Sequence, residues 1–213
     1  MKNQYKKIIL LGRSDKFVKA IHALFEDAEL VVVPWRGCDQ FSHYFREDFA
    51  PDLVVVCGYD YASGSYPFDR YLDVNVVLPF VVISKLCKDS AKVVYIDTEH
   101  GNGLATFSRY QYAKNLLADK ILTGIDNAHV LSIPTVADPN GRADIRGGLV
   151  TKMIFNIFIR IGLVRTMSSA ALVLRLSSAI NSDNKIKLNL LRPRFLSLRR
   201  SLFIDRLLRF VGG

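Results

Sequence analysis

Tyr110-Gln111-Tyr112-Ala113-Lys114 carries the residues best suited to chemistry. A tyrosine and a lysine four positions apart lie on one face of a helix, where the ammonium can approach the phenol. A nearby positive charge favours phenolate and draws a tyrosine pKa down from about 10. Such a tyrosine serves as a general acid/base in hydroxyl–carbonyl interconversion. An isolated Tyr-x-x-x-Lys is common on solvated helix faces, so the pair acquires weight only from its setting. Thr98 lies twelve residues before Tyr110, directly after the apolar run Val93–Ile96, and Asn75 sits earlier in Leu72-Asp73-Val74-Asn75-Val76-Val77. Gly12-Arg13-Ser14-Asp15 offers a tight turn with anion-binding side chains. Arg36, just past a second apolar run, is placed to read a phosphate or to sit in water as a turn residue.

These residues need a frame, and the hydrophobic pattern predicts one. The runs Lys7–Gly12, Leu30–Val33, Leu53–Gly58, Lys92–Ile96 and His129–Ile133 are short, rich in β-branched residues and without polar alternation. That is the signature of strands buried on both faces of a parallel sheet. Between them fall helical stretches: one carrying Phe17, Ile21, Leu24 and Phe25, one over about 68–87, and one over about 108–122. Strand–helix alternation with right-handed crossovers predicts a Rossmann-like, doubly wound α/β fold. In such sheets ligands bind beyond the carboxyl ends of the strands, where Thr98 would stand. After Gly147-Gly148 the pattern is helical only, over 149–164 and 168–180. The reading divides the chain into a nucleotide-binding-type domain, 1–148, and a small C-terminal helical lobe with a basic tail, 149–213.

Asn75, Thr98, Tyr110 and Lys114 resemble, in order and spacing, the Asn–Ser/Thr–Tyr–Lys tetrad of short-chain dehydrogenases/reductases. The closer likeness is to the extended branch, the NAD-dependent epimerases and dehydratases of nucleotide sugars. Pro51-Asp52-Leu53-Val54-Val55-Val56 looks like one of that branch's strands, and Leu131 to Pro139 looks like the strand and loop after its catalytic helix. The resemblance covers roughly Lys7 to Val164. It implies that Tyr110 is the acid/base, that Lys114 tunes it and holds the nicotinamide ribose, and that Thr98 binds the reacting oxygen. Asn75 would support the helix. Gly12, Arg13, Ser14 and Arg36 would contact NAD or NADP. Glu99, in Asp97-Thr98-Glu99, is similar to a dehydratase proton donor but reads better as a surface carboxylate.

The glycine-rich turn departs from the pattern. Gly-x-x-Gly-x-x-Gly would fall on Gly12, Asp15 and Val18, and only the first is glycine. The second glycine normally lets the backbone approach the pyrophosphate, and the third allows close helix–strand packing. Only 16 residues separate Arg36 from Leu53 at the start of the third strand, so one strand–helix unit of the usual plan is reduced or missing. Two functions are therefore carried forward. One is an NAD(P)-dependent oxidoreductase, epimerase or dehydratase acting on a nucleotide sugar in surface polysaccharide synthesis. The other is a catalytically silent relative that binds a nucleotide or a partner.

Composition narrows the setting. Three separated cysteines (Cys38, Cys57, Cys87) and no Cys-x-x-Cys pair suit a reducing, cytoplasmic protein without a structural metal. The N-terminal apolar run is too short for a signal-peptide core, and no uncharged stretch reaches the roughly 18 residues of a membrane span. Of the net charge of +9, +6 lies in residues 181–213, with eight basic and two acidic side chains. Over 196–211 that tail reads as a basic amphipathic helix, docked on its own domain or lying at the inner face of a membrane. Nucleic acid is a weak reading, since no binding motif accompanies the arginines. A homodimer is expected from the resemblance alone.

Overall fold

The computed structural model describes residues 5–37, 50–87, 91–98, 109–137, 143, 149–160 and 165–182. The five apolar runs form strands β1 (Lys7–Leu11), β2 (Glu29–Val33), β3 (Leu53–Val56), β4 (Lys92–Thr98) and β5 (Ala128–Ile133). They pair in parallel in the order β2-β1-β3-β4-β5. The chain winds outward from β1 to β2, then returns to the other side of β1 to begin β3. The carboxyl ends of β1 and β3 therefore flank the topological switch point, where open α/β sheets bind ligands. Among the described residues no strand lies between β2 and β3; residues 38–49 are outside them.

Both faces of the sheet are covered, which is why the central strands are apolar throughout. Ile9, Leu11, Val54, Val56, Val93 and Tyr95 face one core with Tyr71, Val76, Ile83, Leu117 and Ile121 from the helices. These helices are α2 (Phe68–Leu72), α3 (Leu78–Leu86) and α4 (Arg109–Gly124). Ile8, Leu10, Leu53, Val55, Val94 and Ile96 face the second core with Phe17, Ile21, Leu172, Leu176 and Ile180. That face is covered by α1 (Asp15–Leu24) and α6 (Ser169–Asn181). The doubly wound α/β fold is the one the sequence predicts. The last described helix, α6, shares the second core with the strands, so this part of the 149–213 stretch packs on the sheet. Helix α5 (Leu149–Arg160) instead leaves Met153, Ile157 and Phe158 exposed. A two-residue pair, β6 (Thr135–Val136) with β7 (Thr166–Met167), was not foreseen.

Polar contacts at the strand starts fix the register. The Asp52 carboxylate accepts from the amides of Lys6 (2.7 Å) and Lys7 (2.9 Å), tying the entry of β3 to that of β1. Lys92, buried at the start of β4, donates to the Ser182 carbonyl at the end of α6 (2.6 Å). A cation there complements the negative end of the helix dipole.

The helical stretch 68–86 has a π-helical turn at Asp73–Val77 between α2 and α3. Its cause can be read from the sequence. In an α-helix the ring of Pro79 would press on the carbonyl of Asn75. The turn widens instead, with Leu78 N–H donating to Asp73 O and Pro79 standing in the first turn of α3.

Candidate active site

Tyr110 and Thr98 meet at the carboxyl end of β4. The Thr98 hydroxyl, at the carboxyl end of β4, lies 3.0 Å from the Tyr110 phenol on the first turn of α4. Tyr110 is held among aromatic rings. Tyr59 packs edge-on at 4.6 Å between centroids, and Tyr61 stacks at 6.1 Å with 21° between planes. Burial is the largest influence on the Tyr110 phenol and raises its pKa; the hydrogen bond from Thr98 works the other way, and the Asp97 charge adds to the rise. The phenol is thus held protonated.

Lys114, one turn along α4, is buried. Its ammonium donates to the Ile96 carbonyl (2.6 Å) and lies 4.5 Å over the ring of Tyr95. Desolvation pulls its pKa down, yet Tyr95 and Asp97 outweigh that and the net direction is upward. The lysine is therefore a permanent cation under β4. Asp97 is buried beside it, and its Oδ1 has no hydrogen-bond partner among the described residues.

Asn75 is a hub for the loop after β3. Its amide oxygen accepts from the Asp60 N–H (2.9 Å), and its amide nitrogen donates to Ser63 Oγ (2.7 Å) and Tyr71 O (3.0 Å). It is almost wholly buried and so supports the site from behind. The Asp60 carboxylate caps the short 3₁₀ turn Tyr61–Ser65 through Ala62 N–H. That turn carries Tyr61 to its place over Tyr110. Tyr59 and Tyr71 join hydroxyl to hydroxyl beneath them, and burial drives the Tyr59 pKa upward, with Tyr71 adding to it.

The turn after β1 meets the loop after β3 at the switch point. Gly12 keeps the tight turn, with φ +116°, and its backbone lies against Gly58 so closely that a Cβ on Gly12 would fall 2.4 Å from Gly58 Cα. Trp35 lies on Gly58 from the other side. A Cβ on Gly58 would fall 2.1 Å from Trp35 Cε3 and 2.7 Å from Cδ2. The indole is buried and belongs to the first core, with Leu11, Val33 and Val56 at the carboxyl ends of the strands. Arg36 turns to Asp60, donating through Nε (3.1 Å) and Nη2 (2.6 Å) to one carboxylate oxygen. At the amino end of α1, Arg13 and Asp15 are exposed, and Ser14 is the N-cap residue without a side-chain cap bond. Val18 packs into the second core, where a glycine would leave room. Lys16 reaches across to the Val136 carbonyl (2.7 Å). Gly12 and Ser14 suit a phosphate, but Trp35, the engaged Arg36 and the Asp15 carboxylate do not suit a dinucleotide in its usual place.

Trp35, Gly58, Tyr59, Asp60, Tyr61 and Asp97 escaped the sequence reading. The signal for two of them was present: the chain's single tryptophan follows β2, and a glycine closes the β3 run. Glu99 and the basic tail lie outside the described residues. Among the described residues no group of three His, Cys, Asp or Glu side chains is arranged to hold a metal, and no helix is long and apolar enough to cross a membrane.

No family model matches the chain, and no curated protein matches it. Solved structures do. The dTDP-4-dehydrorhamnose reductase of Bacillus anthracis, in complex with NADP, superposes with a TM-score of 0.60 at 13% identity, over 85% of this chain and 73% of that one. An L-threonine dehydrogenase from Phytophthora infestans gives 0.56 at 14% identity, over 84% and 73%. A short-chain dehydrogenase from Streptomyces avermitilis gives 0.52 at 13%, over 100% and 98%. At such identities the likeness is one of fold, and the chain has the Rossmann-like α/β fold of these dehydrogenases and reductases.

Proposed function

We propose that the chain is a redox-silent relative of the short-chain dehydrogenases that binds the sugar of a nucleotide sugar over Thr98 and Tyr110, in the service of surface polysaccharide synthesis. The observation that carries the silent half is the indole of Trp35 seated on Gly58, with Arg36 bound to Asp60 rather than open to a phosphate. Lys114 adds to it, because its ammonium is committed to the Ile96 carbonyl and burial holds the Tyr110 phenol protonated. The binding half rests on an aromatic wall with a few convergent polar groups, the usual composition of a small-molecule site. Tyr61 presents an exposed ring, and Thr98 and Tyr110 present hydroxyls. Calorimetric titration of the full chain with NAD(H), NADP(H) and a set of nucleotide sugars tests both halves. Binding of a nucleotide sugar with none of the four cofactors supports the reading; micromolar cofactor binding sinks it.

The 3.0 Å contact between Thr98 and Tyr110 favours one alternative, an active oxidoreductase, epimerase or dehydratase with Tyr110 as acid/base and Lys114 beside it. Cofactor-dependent turnover that disappears in Tyr110→Phe would establish that alternative. Peripheral contact with a membrane draws on exposed Met153, Ile157 and Phe158 of α5. Co-sedimentation with anionic vesicles, with and without residues 189–213, tests it.

A further inference from the structure

We infer that Trp35 is an internal occupant of the nucleotide crevice: its fused bicyclic ring takes the place of a purine over Gly58 and is what keeps adenine nucleotides out. This deepens the redox-silent reading and rests on it. Three observations converge. The ring lies against the Cα of Gly58, so closely that no side chain larger than hydrogen fits between them, and Gly58 in turn lies on Gly12 of the β1 turn. The tryptophan and the two glycines thus meet at the switch point, where the fold places a ligand. Arg36, the next residue, is anchored by two hydrogen bonds to the buried carboxylate of Asp60, so the segment bearing the ring is fastened to the loop after β3. Finally, the indole is 7% exposed, yet its Nε1 has no hydrogen-bond partner among the described residues. Buried indole N–H groups normally find an acceptor, and an orphaned donor is costly. The seat satisfies the shape of a flat bicyclic ring without satisfying this one's donor.

The test removes the occupant and supplies the purine. AMP, which lacks the pyrophosphate that Asp15 would oppose, is titrated calorimetrically into the wild-type chain, Trp35→Ala and Trp35→Phe. The expected result is no binding to wild type at millimolar AMP, at least tenfold tighter binding to Trp35→Ala, and an intermediate value for Trp35→Phe. A Trp35→Ala chain that is stabilised by free indole but not by AMP would overturn the inference, because the seat would then be ordinary core. Should Trp35→Ala fail to fold, Arg36→Ala carries the test, since it releases the fastening from an exposed position. The chain's single tryptophan reports directly: AMP should shift its emission to the red in Arg36→Ala and leave wild type unchanged. No AMP-dependent shift in that folded variant overturns the inference. Binding of NADP to wild type would remove the redox-silent reading and this inference with it, whereas AMP that binds none of the folded variants removes the inference alone, so the two failures are distinguishable.

Discussion

Gly58→Ala should be one of the most damaging single-methyl additions in this chain, and Trp35→Ala should cancel the damage. The new Cβ would sit 2.1 Å and 2.7 Å from two carbons of the Trp35 ring and 3.0 Å from Gly12 Cα. Ordinary carbon contacts are about 3.5–4.0 Å, so one neighbour must retreat by roughly 1.4 Å. Gly12 cannot do so, since it is backbone held by its amide to the Val33 carbonyl (2.8 Å). The ring must therefore move, against the fastening of Arg36 to Asp60. Overpacking of this kind costs about 1–3 kcal/mol. For a domain of this size, 2 kcal/mol lowers Tm by about 4–8 °C. Trp35→Ala alone should cost about 3–5 kcal/mol as a large-to-small core change. In the double variant the collision with the ring is gone and only the 3.0 Å approach to Gly12 Cα remains, so the two losses should fall short of their sum by about 1–3 kcal/mol. Urea unfolding followed by far-ultraviolet circular dichroism measures all four chains, and equal m-values confirm a common unfolded state. A Gly58→Ala chain as stable as wild type, or losses additive within about 0.5 kcal/mol, would refute the reasoning.

Above pH about 10 the folded chain should lose stability steeply. Tyr59, Tyr95 and Tyr110 have raised pKa values, as does Lys114, so the fold keeps protons that the unfolded chain releases. Spectrophotometric titration at the phenolate band should show these tyrosines ionising only with unfolding, and a transition below pH 9 that vanishes in Tyr110→Phe would contradict this. Asn75→Leu should cost about 2–4 kcal/mol, because the Asp60 N–H and the Ser63 hydroxyl lose a buried partner; thermal melting reads the loss, and a shift below 2 °C would exclude the hub role. His129 has its pKa lowered by burial and then by Lys92, so the unfolded chain takes up its proton first and stability falls as pH drops below about 6.5. The urea midpoint should therefore fall from pH 7.5 to 5.5 in wild type and fall less in His129→Leu.

The sheet was legible because its strands are buried on both faces. Runs such as Leu53–Val56 and Val93–Ile96 offer no polar alternation and admit few other readings. The pair β6 and β7 was not legible, since two residues carry no period. That Thr98 ends a strand and Tyr110 opens a helix followed from local pattern; that they share a site is what the family resemblance implies. The direction of Lys114 did not follow from local pattern, because the Ile96 carbonyl and the Tyr95 ring that receive it belong to another element. Nor does the sequence decide whether Arg36 reads a phosphate or sits in water as a turn residue, because its partner, Asp60, stands 24 residues away. Trp35 and Gly58 are 23 positions apart, and neither announces the other in sequence. Residues whose roles depend on the next turn were readable; those whose roles depend on a neighbour brought in by the sheet were not.

Pro79 stands outside the site, yet it sets the aim of Asn75. The proline ring forbids the ordinary carbonyl geometry four residues earlier, and the π turn at Asp73–Val77 is how the backbone concedes. A residue that improves the helix at this position would let the turn tighten and swing the Asn75 amide away from Asp60, loosening the 3₁₀ turn that carries Tyr61. Helical regularity and site geometry pull in opposite directions at one side chain. Sequence change that made this segment a better helix would loosen the loop after β3, so selection for stability alone would alter the surroundings of Tyr110 from a distance.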